Sequence, residues 1–150
     1  MGQVQLPKLA GFVNQRRKNV EYYRSKLTKY SDIFDFQEET TDSYSSWFGF
    51  AIILKDKCPF NVKEIAAFLK SRNIENRPVI AGNIANHPVM KNYKHRVAGS
   101  TDISDNIMRN AFALGCHQHL GEEAIDYVIK NIEEFINSAY GSQSTKLAQN

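Results

Sequence analysis

Apolar residues recur at three- and four-residue steps through the first thirty positions: Leu6, Leu9, Phe12 or Val13, Val20, Tyr23, Leu27 and Tyr30. That period puts them on one stripe of a helix over about 3–30. Pro7 suits a first turn, where a missing N–H costs little, and Gly11 is a mild cost. The opposite face, Gln15-Arg16-Arg17-Lys18-Asn19, is wholly polar and reads as a solvated surface. A helix this long, with aromatic residues in its stripe, needs something large to lie against.

The pattern then changes period. Residues 33–36 (IFDF) form a short strand candidate, residues 38–45 are polar and turn-prone, and 46–54 (SWFGFAIIL) is the strongest strand, rich in aromatic and β-branched side chains. A loop over 55–59 leads to Asn61 and, three residues on, Glu64, a capping-box spacing ahead of an amphipathic helix over 62–72. Residues 73–81 read as a strand in which Pro78 demands an edge position or a bulge. Residues 86–93 read as a short helical turn. Thr101 or Ser104 caps a helix over about 104–111, and 112–117 (FALGCH) is the last strand candidate.

A final helix follows Gly121. Ile125, Val128, Ile129, Ile132, Phe135 and Ile136 make its apolar side, and Glu122 and Glu123 sit at the positive end of its dipole. Residues 141–150 have the composition of a disordered tail. Strands and helices alternate, so the expected fold is α/β in the α+β two-layer sense: a small sheet with helices packed on one face. The expected division is a helix over 1–30, a small domain over 31–140 and the tail. There is no internal repeat and no low-complexity segment.

Composition narrows the function classes. The chain has 150 residues, 42% hydrophobic and 23% charged, enough for one domain with a true core. A net charge of +3 is a mild excess. With no RNP-like or helix-turn-helix pattern, it argues against a nucleic-acid partner. No apolar run approaches the ~20 residues that span a bilayer. The two cysteines, Cys58 and Cys116, form no CxxC pair, which disfavours structural zinc. With no leader pattern, they lead to the expectation of a reducing cytoplasm.

No GxGxxG, P-loop or GxSxG sequence is present. His117 and His119 have an i, i+2 spacing, but no carboxylate or cysteine stands beside them in a known ligand pattern, so no metal is expected. Cys116 and His117 are neighbours, and neighbours on a strand point to opposite faces. Arg77 is more informative. A guanidinium at a strand end can grip a carboxylate or phosphate with two parallel hydrogen bonds. Glu75 shares its face on a regular strand, and Asn83, after Gly82, offers an amide to a hydroxyl. Spacing alone favours a surface salt bridge beside a turn over a pocket for a sugar or amino acid.

Three stretches taken together change that balance. Residues 5–19 (QLPKLAGFVNQRRKN), 73–91 (NIENRPVIAGNIANHPVMK) and 113–135 (ALGCHQHLGEEAIDYVIKNIEEF) resemble the C-terminal region of the DegT/DnrJ/EryC1/StrS family of sugar-nucleotide aminotransferases and dehydratases. These are pyridoxal-phosphate (PLP) enzymes of fold type I. Gly82-Asn83-Ile84 stands where the aminotransferases show a Gly-His-Tyr-Pro type stretch, so the resemblance leans to the branch of GDP-4-keto-6-deoxymannose 3-dehydratases.

The resemblance implies that residues 1–30 are the helix leaving a large cofactor-binding domain. That domain would hold the phosphate-binding turn, the aspartate facing the pyridine nitrogen, and the lysine, or in colitose-type dehydratases the histidine, at the cofactor. No catalytic residue is then expected in this chain, and the chain alone is expected to be inactive and to bind no PLP or its aminated form, PMP. Glu75 and Arg77 would contact the substrates, with Arg77 holding a carboxylate of glutamate, and Asn83 and His87 would line the sugar pocket. The implied partners are a nucleotide sugar, glutamate and a second copy in a homodimer. The implied setting is cytoplasmic deoxysugar synthesis for lipopolysaccharide O-antigen. The alternative is a free-standing non-catalytic remnant or protein-interaction module.

Overall fold

The computed structural model describes the backbone of residues 2–147 and side chains as far as Gly141. Its helices are α1 (Gly2–Gln5), α2 (Leu9–Leu27), α3 (Val62–Ser71), α4 (Asp102–Asn110) and α5 (Glu122–Leu147), and its strands are β1 (Phe34–Phe36), β2 (Phe50–Leu54), β3 (Asn76–Pro78) and β4 (Ala111–Leu114). The strands make one antiparallel sheet in the order β1-β2-β4-β3. β2 and β3 are therefore parallel to each other and joined through α3, with β4 inserted between them.

The predicted α/β character holds, and most elements fall where the periodicity placed them. The boundaries differ for local reasons. The helix over 3–30 is broken by a 3-10 turn at Leu6–Lys8 and ends in another at Thr28–Tyr30. Pro7 lies inside the first of these turns, and its missing N–H removes a rung of the α-helical ladder. The strand expected over 46–54 begins only at Phe50, because Trp47 turns the chain with φ 51. The strand expected over 73–81 shrinks to three residues between Asn73 (φ 60) and Ile80 (φ 44). It lies at the sheet edge, as Pro78 requires. β4 covers 111–114 rather than 112–117. The last helix continues to Leu147 instead of stopping near 140, and residues 148–150 of the expected tail lie outside the described residues.

α3 starts where its sequence says. The Asn61 side chain accepts from Glu64 N–H at 3.1 Å, and the Glu64 carboxylate accepts from Asn61 N–H at 2.7 Å, a complete capping box.

Register sorts the side chains into two faces. Phe34 opposite Leu54, Phe36 opposite Ile52, Ile52 opposite Phe112 and Phe50 opposite Leu114 all point to one side. There they form one buried cluster with Val20, Tyr23 and Leu27 of α2, Ile65 and Leu69 of α3, and Ile125, Ile132 and Ile136 of α5. Tyr23 stacks on Phe50 with ring centres 5.1 Å apart, and Phe60 meets Phe135 edge-on at 4.8 Å. Burying each such side chain stabilises the fold by about 1.5–3 kcal/mol. A buried amide crosses this layer to the sheet. Asn19 is buried, and its Nδ2 donates to the carbonyls of Cys116 and His117 at 3.3 and 2.9 Å, tying α2 to the chain leaving β4.

Only the C-terminal half of the predicted stripe on the first helix is covered. Val20, Tyr23 and Leu27 are buried, whereas Leu6 and Leu9 are more than half exposed.

Candidate functional site

The second face of the sheet is built from small residues. Ala51 pairs with Ala113, which pairs with Arg77, and Ile53 pairs with Ala111. Three alanines on neighbouring strands leave a depression, and it forms the floor of a cavity of about 930 Å³. Trp47 and Phe48 line one side, Glu75 and Arg77 of the β3 edge another, and Ile80 and Ile107 of α4 complete the lining. Phe48 and Ile80 are almost fully exposed, at 90% and 87%. Ile80 also holds a left-handed backbone, which costs a β-branched residue about 1–3 kcal/mol.

Of the four residues expected to meet substrates, the structure brings two to this cavity. Glu75 and Arg77 project from the same face, line the cavity, and form an ion pair with each other in which both side chains are three-quarters exposed. Arg77 also borders a second cavity of about 520 Å³, between α3, β3 and α4, together with Lys63 and Arg109. The guanidinium thus stands on a ridge between two depressions.

Asn83 and His87 are placed differently. Asn83 is buried; its Oδ1 accepts from Ala85 N–H at 3.0 Å and its Nδ2 donates to Asp105 at 2.8 Å. The Asp105 carboxylate also accepts from Asn86 at 2.5 Å. His87 Nε2–H donates to the Ala81 carbonyl at 2.7 Å. These groups hold the segment after β3 in shape and fasten it to α4. Neither Asn83 nor His87 lines the large cavity.

The other chemical candidates separate in space. Cys116 is buried, its thiol donates to the Trp47 carbonyl at 3.3 Å, and burial pushes its pKa up, away from a reactive thiolate. His117 faces solvent and accepts from the His119 backbone N–H at 3.2 Å, on a loop rather than a strand. Among the described residues, no group of three or more His, Cys, Asp or Glu side chains is placed to hold a metal ion.

The polar face of the first helix corrects the expectation of a solvated surface. Arg17 forms a two-pronged pair with Glu39 at 2.6 and 2.8 Å and also donates to the Ser45 carbonyl at 2.8 Å. Arg16 donates to the Trp47 carbonyl at 3.2 Å, and Arg24 donates to the Gln37 carbonyl. The Arg17 guanidinium, helped by Ser45 N–H, holds the Glu39 carboxyl at about 2, well below the usual carboxylate range. Periodicity missed these roles because the partners lie 13 to 31 residues away and belong to no local pattern.

A family model for the DegT/DnrJ/EryC1/StrS aminotransferase family matches residues 1–133. The chain belongs to that family. It is 37% identical over 134 residues to the lipopolysaccharide biosynthesis protein RfbH of Salmonella typhimurium, a match covering 89% of this chain and 31% of that protein. It is 36% identical over 129 residues to the GDP-4-keto-6-deoxy-D-mannose 3-dehydratase of Escherichia coli O55:H7, covering 85% and 32%. The solved structure of the E. coli dehydratase with bound hydrated PLP superposes with a TM-score of 0.78 at 35% identity, over 87% of this chain and 33% of that one. This family member thus spans about a third of the length of the relatives it matches, their C-terminal portion.

PLP is bound in that relative. The cavity described above does not itself make a PLP site. Among the described residues, one arginine, already paired to a glutamate, is the cation of its lining, and no lysine or histidine lines it. No helix among the described residues is long and apolar enough to cross a membrane.

Proposed function

We propose that this chain forms the small, substrate-facing domain of a PLP- or PMP-dependent sugar-nucleotide 3-dehydratase. The activity belongs to cytoplasmic deoxysugar synthesis for lipopolysaccharide O-antigen and to a homodimer. The observation that carries this reading is the unfilled face of the sheet. A folded domain of this size spends its apolar residues on one side of the sheet and leaves an alanine-floored depression edged by an arginine and a glutamate on the other. That is a surface shaped for another molecule. The likeness to 3-dehydratases at 36% identity supports the dehydratase over the aminotransferase reading.

The cofactor, when bound in the complete enzyme, supplies the electron sink for loss of the 3-hydroxyl. This chain's part is orientation and closure. Arg77 grips the carboxylate of glutamate, the amine donor, and Glu75 keeps the guanidinium extended over the cavity and offers an acceptor to a sugar hydroxyl. Asn83 and His87 act on the sugar side by holding the segment after β3 in the form that closes the pocket. The cavity's donor set supports the expectation that this chain alone neither retains PLP nor turns over substrate.

A chimera tests the reading. The C-terminal third of the E. coli GDP-4-keto-6-deoxymannose 3-dehydratase is replaced by this chain. The expected product is a dimer that binds PLP and dehydrates GDP-4-keto-6-deoxymannose, while the 150-residue chain alone is inert. Arg77→Ala in the chimera should raise the KM for glutamate about tenfold or more, the loss of one charge-assisted two-pronged contact. A chimera that folds and binds PLP but dehydrates nothing would overturn the proposal.

A further inference from the structure

The segment between β1 and β2, residues 37–49, has no helix or strand of its own. It is nevertheless held at several points by one helix. Arg17 of α2 takes both carboxylate oxygens of Glu39 and the carbonyl of Ser45, six residues further on. Glu39 closes the same loop from inside by accepting Ser45 N–H at 2.5 Å. The guanidinium lies 4.0 Å from the centre of the Tyr44 ring, and Tyr44 in turn donates to Asn14 of α2 at 3.2 Å. One side chain therefore pins both ends of a seven-residue loop and packs on the ring of Tyr44, next to its second end.

What this loop delivers is the wall of the large cavity. Directly after Ser45, the Trp47 N–H donates to the Ser45 hydroxyl at 3.1 Å, and the backbone turns through φ 51. The indole goes into the core, and Phe48 is left standing on the cavity lining with Arg77. An exposed phenylalanine at a cavity mouth costs apolar contact with water. Arg16 and the Cys116 thiol hold the Trp47 carbonyl at 3.2 and 3.3 Å, and Arg24 holds the Gln37 carbonyl. Between those points, with no strand ladder, the run from Glu39 to Ser45 that leads into Phe48 is fastened to α2 through Arg17 and the Tyr44–Asn14 bond.

We propose that Arg17 is a positioning residue for the substrate cavity: through Glu39 and Ser45 it sets where Phe48 stands, and so the fit of the nucleotide sugar. This rests on the proposed function for the identity of the ligand, but the anchor itself does not. Two parallel hydrogen bonds, a carbonyl contact and a stacked ring are a geometry that lysine cannot reproduce.

Trp47 is the chain's only tryptophan and sits on the clamped segment, so its fluorescence reports the anchor directly. In the full 150-residue chain, Arg17→Met should at least roughly double acrylamide quenching of Trp47 while far-ultraviolet circular dichroism is retained, and Arg17→Lys should fall between. Glu39→Gln combined with Arg17→Met should add little to Arg17→Met alone, as expected for one interacting unit. Trp47 as protected in Arg17→Met as in the parent would overturn the proposal.

In the chimera, Arg17→Met should raise the KM for the nucleotide sugar about fivefold with kcat within about twofold, since a misplaced wall weakens ground-state and transition-state binding alike. Phe48→Ala should match it, and the double variant should be no worse than either. An unchanged KM alongside a loosened Trp47 would also overturn the positioning role. If the parent chimera binds PLP but is inactive, the proposed function fails, and the quenching comparison alone decides the anchor.

Discussion

β4 carries two different surfaces on one four-residue strand. Phe112 and Leu114 point into the layer of α2, α3 and α5 and are almost wholly buried, whereas Ala111 and Ala113 point the other way, onto the cavity floor. β2 repeats the pattern, with Phe50, Ile52 and Leu54 on the helix side and Ala51 and Ile53 on the other. The large apolar side chains are on the first face. On the second, Ala51 and Ala111 are buried as well, but their small size leaves space in front of them, so the bulk of the packing and the open cavity fall on opposite sides of the same strands.

The largest test of that separation uses neighbours in sequence. Phe112→Ala should lower the unfolding free energy by about 3–5 kcal/mol, the transfer and cavity cost of a fully buried ring. Ala113→Ser, one residue away, should change it by no more than about 0.5 kcal/mol, because Ala113 is only half-buried and lines the cavity. Urea denaturation of both variants checks this. Similar losses would mean that the second face is as tightly packed as the first.

A glycine on the cavity side marks where that face is nonetheless rigid. Gly82 has φ 59, and a Cβ built there would lie 2.7 Å from Cβ and Cγ of Met108 in α4. Gly82→Ala should therefore destabilise by about 1–3 kcal/mol, from backbone strain and overpacking together. Thermal melting measures it. A neutral result would show that the segment after β3 rides freely on α4, and that the bonds from Asn83 and Asn86 to Asp105 do not fix it.

On the helix face, a cap gives a smaller effect. Asn61→Ala removes half of the capping box of α3 and should cost about 1 kcal/mol. Urea titration of Asn61→Ala alone and with Glu64→Ala tests whether the pair acts together; fully additive losses would argue against the reciprocal bonds.

The two faces also differ in how readable they were. α3 was plain from Asn61 and Glu64, and α5 from its isoleucine period, because caps and amphipathic stripes are written within a turn or two of the chain. Pro78 alone put β3 at an edge. The cavity side depended on signals with no local spelling. Trp47 and Ile80 adopt left-handed backbones that neither residue type announces, so both strands beside the cavity read several residues too long. Arg16 and Arg17 looked like solvated charges because Glu39, Ser45 and Trp47 reach them only once the chain has folded back. Alternation on a strand puts Glu75 and Arg77 on one face and by itself predicts the surface salt bridge that they form; a substrate role for them comes from the family resemblance alone. Asn83 and His87 lie close by in sequence, but their polar atoms are engaged within the fold.

The smallest expected effect is the most informative about use. Arg77 and Glu75 pair with each other in full view of solvent, and an exposed pair of this kind contributes about 0–1 kcal/mol. Arg77→Ala should therefore leave the urea midpoint of the chain nearly unchanged, within about 0.5 kcal/mol. No buried partner is orphaned by the change, since Glu75 is itself hydrated. A residue that the fold can spare, standing over a cavity that the fold leaves open, is available to a ligand, which is the role proposed for it above. If Arg77→Ala instead destabilised the chain by 2 kcal/mol or so, as loss of a buried charge contact does, the ridge between the two cavities would be a structural prop. The comparison between the faces would then fail at its functional end, because the cavity side would be holding the fold as the core side does.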